Sequence, residues 1–127
     1  MIDHASIAVS DLVRAGAFYD RALAPLGHAR LAERERTIGY GKRYPELWLN
    51  LREGFAAERE SGAHLCLRAR TERAVRAFHE AALAAGGADD GEPGPRRSHL
   101  GGYFGAFVRD PDGNRIEAMT VSRPERE

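Results

Sequence analysis

A segment recurs within this chain, and the recurrence limits the folds open to it. HASIAVSDLVRAGAFYDRALAPLG starts at His4, and HLCLRARTERAVRAFHEAALAAGG starts sixty positions later at His64. Superposed without a gap, they share His4/His64, Ala17/Ala77, Phe18/Phe78, Ala22/Ala82, Leu23/Leu83, Ala24/Ala84 and Gly27/Gly87. Small residues match cheaply, but the histidine and phenylalanine pairs do not. Each copy reads as a short apolar strand followed by an amphipathic helix. A repeat of this length implies two related supersecondary units, and a ligand site at their junction receives one histidine from each.

The rest of the chain extends the symmetry. Ile2–Val9 alternates as a strand, Ser10 is the expected helix N-cap, and apolar residues at helical spacing place a helix over 11–24 that Pro25 and Gly27 end. Strands are expected at about 28–34, 36–41 and 46–52, and EGFAAERES (53–61) reads as a linker. The second half repeats the order: a strand over 63–68, a helix capped by Thr71 and stopped at Gly86-Gly87, then strands over 103–109 and 114–121. Between those last two, Asp110-Pro111-Asp112-Gly113 forms a tight hairpin turn. GADDGEPGPRRSHLGG reads as loop, with at most a weak strand near 95–98. The chain is thus expected to be one α+β domain of two tandem βαβββ modules: module one 1–52, linker 53–61, module two 62–121 and a charged tail 122–127.

Bulk properties narrow the partners. Nineteen acidic and nineteen basic residues cancel in 127, which argues against a nucleic-acid stripe or a polybasic membrane surface. A single cysteine, Cys66, allows no internal disulfide, and no stretch is long and apolar enough to be read as a secretory signal or membrane span. The expected setting is the cytoplasm.

Strand alternation sorts the side chains. If the aliphatics Ile7, Val9, Leu47, Leu49, Leu65, Leu67, Ile116 and Ala118 lie under the helices, the opposite face carries His4, Glu46, Trp48, Asn50, His64, Cys66, Arg68, Arg115 and Glu117. Two sheets whose non-helical faces meet would make a polar-floored cavity from that set. His4, His64 and Glu117 are then a two-histidine, one-carboxylate group suited to Zn²⁺, Fe²⁺, Mn²⁺, Ni²⁺ or Co²⁺, with coordination positions left open. Cys66 reads more simply as a small hydrophobe than as a reactive thiol. His28 and His79 read as surface residues.

The opening IDHASIAVSDLVRAGAFYDRALAPLG, the strand AHLCLRA and the block YFGAFVRDPDGNRIEAM resemble the vicinal oxygen chelate superfamily of glyoxalases, bleomycin-resistance proteins and extradiol dioxygenases. The resemblance covers about residues 1–120. It implies paired modules whose mixed sheets form an open barrel-like cavity with the helices on the outer face. It also implies a divalent metal held by His4, His64 and Glu117, a small oxygenated substrate and a homodimer. Glyoxalase I takes a further ligand from the fourth strand. Here Glu46 sits near the start of that strand, and Trp48 or Asn50 is the other occupant of the central position. RRSHLGGYFG does not resemble the potassium loop of the fosfomycin enzymes. Bleomycin-binding members lack the metal ligands, which weighs against the alternative of a sequestration protein. Loop residues His99 and Tyr103 are the candidate catalytic groups. Trp48, Asn50, Tyr40 and Arg115 are the candidate substrate contacts.

Overall fold

A computed structural model of the chain describes residues 1–97 and 101–121. The elements run β1 (Ala5–Val9), α1 (Leu12–Leu23), β2 (Ala29–Glu33), β3 (Thr37–Gly41), β4 (Leu47–Leu51), β5 (Leu65–Arg68), α2 (Glu72–Ala84), β6 (Ala88–Pro95), β7 (Tyr103–Arg109) and β8 (Arg115–Val121). They form two four-stranded mixed sheets, ordered β1-β4-β3-β2 and β5-β8-β7-β6. Each sheet opens with a parallel pair, β1 with β4 and β5 with β8, and continues antiparallel. This is the expected α+β architecture of two βαβββ halves, but the sheets do not close into a barrel. No ladder joins them, because β1 and β5 are each the end strand of a separate sheet.

Local chemistry sets the helices. Asp11, not Ser10, caps α1 and accepts from the Arg14 amide at 3.0 Å. Ser10 is drawn away because its amide donates to Asp112 of the β7–β8 turn, 3.1 Å away, and its hydroxyl bonds the same carboxylate. A 3-10 turn, Ala24–Leu26, follows α1 and ends at Gly27 with φ 84°, a left-handed conformation that glycine supplies without steric cost. Thr71 caps α2 as expected, accepting from the Ala74 amide at 3.1 Å.

The repeated phenylalanines are both fully buried, Phe18 on α1 and Phe78 on α2, and the helices pack against each other. One core cluster therefore runs through both halves, from Val9, Tyr40 and Leu49 to Val75, Val108 and Ile116. Gly87 permits this contact. A Cβ there would stand 2.7 Å from Phe18 Cε2 and 2.9 Å from two carbonyl oxygens. Gly87→Ala is accordingly expected to destabilise the fold by about 2 kcal/mol, read as a lowered urea midpoint. An unchanged midpoint would show that the interhelical contact tolerates the extra carbon.

The second departure from the sequence reading is β6. Asp89, Asp90, Glu92 and two prolines suggest loop, yet Ala88–Pro95 pairs with β7 through two register shifts. Bulges let such a segment keep a ladder by leaving residues unpaired. The third is His79, which is buried rather than on the surface, its Nε2 2.8 Å from Asp89 Oδ1. Among the described residues, no helix is long and apolar enough to cross a membrane.

Candidate metal centre

The parallel ladder that begins each half places the chemistry-bearing side chains. Cys66 stands opposite Glu117 in the β5–β8 register, and Glu117 opposite Phe107 across β7–β8. Cross-strand partners share a face, so His64, Cys66, Phe107, Tyr103 and Glu117 project on the side of this sheet away from α2. Glu117 is only 3% exposed. Its Oε1 lies 3.1 Å from His64 Nε2, and its Oε2 accepts a hydrogen bond from the Tyr103 hydroxyl. Gly105 makes room for the carboxylate, since a Cβ there would come within 3.2 Å of Glu117 Oε2.

Tyr103 also touches Cys66, with Sγ 3.7 Å from the hydroxyl. Burial, then the hydrogen bond to Glu117, raises the Tyr103 phenol far above its ordinary value, so it keeps its proton and donates. Burial pushes the Cys66 thiol up to about 11, a rise that the Tyr103 hydrogen bond only partly offsets. Alkylation of Cys66 is thus expected to be slow at pH 8, where about one thiol in a thousand is ionised, and to quicken about tenfold per pH unit up to pH 10. A rate that levels off near pH 8 would contradict this environment.

His4 and His64 line one cavity of about 520 Å³, together with His28, Glu46, Cys66 and Arg68. His4 does not join the Glu117 group. Its Nδ1 lies 2.8 Å from Asp3 Oδ2, and its side chain is 54% exposed. Glu46 precedes β4 and is exposed; its backbone, not its carboxylate, is engaged, accepting from Ala5 and donating to Tyr40. Among the described residues, no three His, Cys, Asp or Glu side chains are grouped so as to hold a metal ion. The donor chemistry of His64 and Glu117 nonetheless fits a divalent cation: a buried carboxylate, oriented by a phenol, faces an imidazole that opens on a cavity.

The other expected contacts separate. Tyr40 is fully buried beneath α1, its hydroxyl donating to Asp20 Oδ1 at 2.7 Å and lying 3.1 Å from the Gly16 carbonyl oxygen. It belongs to the core because Gly39, not Tyr40, stands opposite Trp48 on the other face of β3. Trp48 lies over Gly39, where a Cβ would stand 2.9 Å from its ring, with the Arg34 guanidinium 5.3 Å from its ring centroid. Asn50 is half-buried opposite Thr37, whose hydroxyl is a buried polar atom without a hydrogen-bond partner among the described residues. Neither Trp48 nor Asn50 lines the cavity of His4 and His64. Arg115 does lie beside His64, in a smaller pocket of about 270 Å³ with Asp90 and Phe107. His99 lies outside the described residues. Asp90 and Phe107 escaped the sequence reading, because only the β6 bulge and the β7 register bring them to His64.

The chain matches, over residues 1–118, the family described as the Glyoxalase/Bleomycin resistance protein/Dioxygenase superfamily. A glyoxalase/bleomycin resistance protein from Albidiferax ferrireducens is 31% identical, with a TM-score of 0.83 over 92% of this chain and 96% of that one. A glyoxalase I variant from Zea mays is 25% identical, with a TM-score of 0.68 over 96% of this chain and 45% of that one. A variant of the fosfomycin resistance protein FosX from Listeria monocytogenes, in complex with Mn(II) and a dihydroxypropylphosphonic acid, shares the fold at 18% identity, with a TM-score of 0.66 over 96% of this chain and 90% of that one. No curated protein matches.

Proposed function

We propose, because this chain belongs to the Glyoxalase/Bleomycin resistance protein/Dioxygenase superfamily, that it is an enzyme using one divalent metal ion on a small substrate bound through two neighbouring oxygens. The observation that carries the reading is the His64–Glu117 pair, with Nε2 3.1 Å from Oε1, beside a cavity that His4 also lines. The structural neighbour FosX, solved in complex with Mn(II), supports it. His64 and Glu117 are two of the ligands, His4 is the third and Glu46 a fourth. His4 reaches the site either by leaving Asp3 or from a second copy in a homodimer. Mixing His4→Ala and His64→Ala chains tests the second route: with shared sites each mixed dimer regains one of its two sites, whereas sites within one chain are not restored.

The metal, when bound, supplies Lewis-acid stabilisation of negative charge developing on the substrate oxygens. The chain's own groups prepare for it. Tyr103 holds Glu117 through Oε2, which leaves Oε1 aimed at His64. Tyr103→Phe is expected to weaken metal binding by about 10–100-fold with the fold intact, measured by competition with a coloured chelator. Unaltered affinity would remove Tyr103 from the centre. His99 is the proposed acid–base group, and the reaction is of the lyase or extradiol dioxygenase type.

Elemental analysis of untagged protein prepared without chelator is the primary test, with about one equivalent of metal expected. Turnover is then sought on hemithioacetal, catechol and epoxide substrates. Metal-free protein that binds an aromatic ligand tightly without turnover would replace this reading with sequestration. The proposed location is the cytoplasm, where the free thiol of Cys66 stays reduced.

A further inference from the structure

The β6 bulge separates two adjacent aspartates. The β6–β7 register steps from Asp89↔Val108 to Gly91↔Phe107, leaving Asp90 as the unpaired residue. Asp89 turns towards α2 and bonds His79. Asp90 is aimed instead at two arginines that stand opposite each other, Arg109 on β7 and Arg115 on β8. Its Oδ2 accepts from Arg115 Nε at 3.0 Å, and its Oδ1 lies 3.3 Å from Arg109 Nε. Bulges commonly re-aim a side chain in this way beside a functional site.

Two guanidinium groups share this one carboxylate, so the cluster keeps a positive charge. A third guanidinium, of Arg96, stands 5.8 Å from the Phe107 ring centroid. Arg115 is fixed through Nε, and its two Nη atoms have no hydrogen-bond partner among the described residues. Its side chain is 35% exposed. The pocket of about 270 Å³ beside it is floored by Phe107, whose ring lies 5.9 Å from that of His64. A guanidinium held by Nε presents its Nη edge as a fork matched to a flat carboxylate. An aromatic floor suits a ring, and a space this small suits a single one.

We propose that this pocket binds a small aromatic acid, with Arg115 gripping the carboxylate and Phe107 supporting the ring. The site shares His64 with the proposed metal centre, and as a substrate subsite it rests on that reading.

The probes are benzoate and its neutral analogue benzamide, titrated by NMR into the protein as purified and again after chelation. Benzoate is expected to bind about tenfold more tightly than benzamide in both preparations, the difference of one charge-assisted contact. Arg115→Gln is expected to abolish the preference, and Arg68→Gln, at the larger cavity, to preserve it. Equal affinities, a preference that survives Arg115→Gln, or one that vanishes on chelation would overturn the site. If Arg115→Gln does not fold, the benzoate–benzamide comparison on the unmodified chain still decides. Metal content of the same sample tests the metal centre separately, so either idea can fail alone.

Discussion

Alanine in place of His64 is expected to abolish the proposed metal binding: from about one equivalent to a small fraction of one, with the proposed turnover lost in parallel. The reason is the poverty of alternatives around Glu117. The carboxylate is 3% exposed, its Oε2 is occupied by Tyr103, and His64 is the imidazole in contact with it. Without His64, a cation would keep one buried ligand and depend on His4, which is bonded to Asp3. Divalent ions of this class need about three protein donors to be held firmly. Thermal stability of the metal-free protein should fall only modestly, because the His64 side chain is 44% exposed and Glu117 keeps its hydrogen bond from Tyr103. The measurement is metal stoichiometry beside the metal-free melting temperature. Full stoichiometry in the variant would remove His64 from the ligand set; a collapsed melting temperature would reassign it to structure.

Asp112→Ala is expected to cost about 3–4 kcal/mol, a fall in melting temperature of roughly 10–15 °C. Asp112 sits in the β7–β8 turn, its side chain 2% exposed, and ties the second half to the first. It accepts the Ser10 amide and hydroxyl, and its Oδ1 lies 2.7 Å from Arg14 Nη2. Truncation leaves those donors without their acceptor and a guanidinium without its counter-charge. Neighbouring contacts are of the same kind: Tyr19 donates to Asp110 at 2.7 Å, and Asn114 donates to the Ala8 carbonyl at 2.9 Å. Asp112→Asn keeps an acceptor and should recover part of the loss. A drop under about 1 kcal/mol for the alanine variant, by calorimetry, would show that the helix–helix core alone holds the halves together.

That turn shows how far the sequence could be read. Asp110-Pro111-Asp112-Gly113 was legible as a hairpin turn, and Gly113 indeed has φ 90° with its amide bonded to the Asp110 carbonyl. Its acids looked like turn residues only. Their bonds to Ser10, Arg14 and Tyr19 span about a hundred positions, and no local pattern announces a contact at that range. The displacement of the α1 cap from Ser10 to Asp11 has the same origin. At the candidate centre, His64 and Glu117 were legible because Glu117 lies on β8 and His64 immediately precedes β5, where strand alternation fixes the face. Tyr40 was misplaced because β3 is glycine-rich, and alternation between Gly39 and Gly41 marks no face.

Local periodicity and the internal duplication were enough to determine two βαβββ halves and the faces of β1, β4, β5 and β8, which supply most of the candidate site residues, because each depends on neighbours within one element. Tertiary structure alone decided which of those residues meet. It set Glu117 against His64 and Tyr103, left His4 with Asp3, and used a bulge to bring Asp90 to Arg115. Such encounters follow from strand register and from the packing of α1 on α2, which are properties of the whole chain and of no single segment.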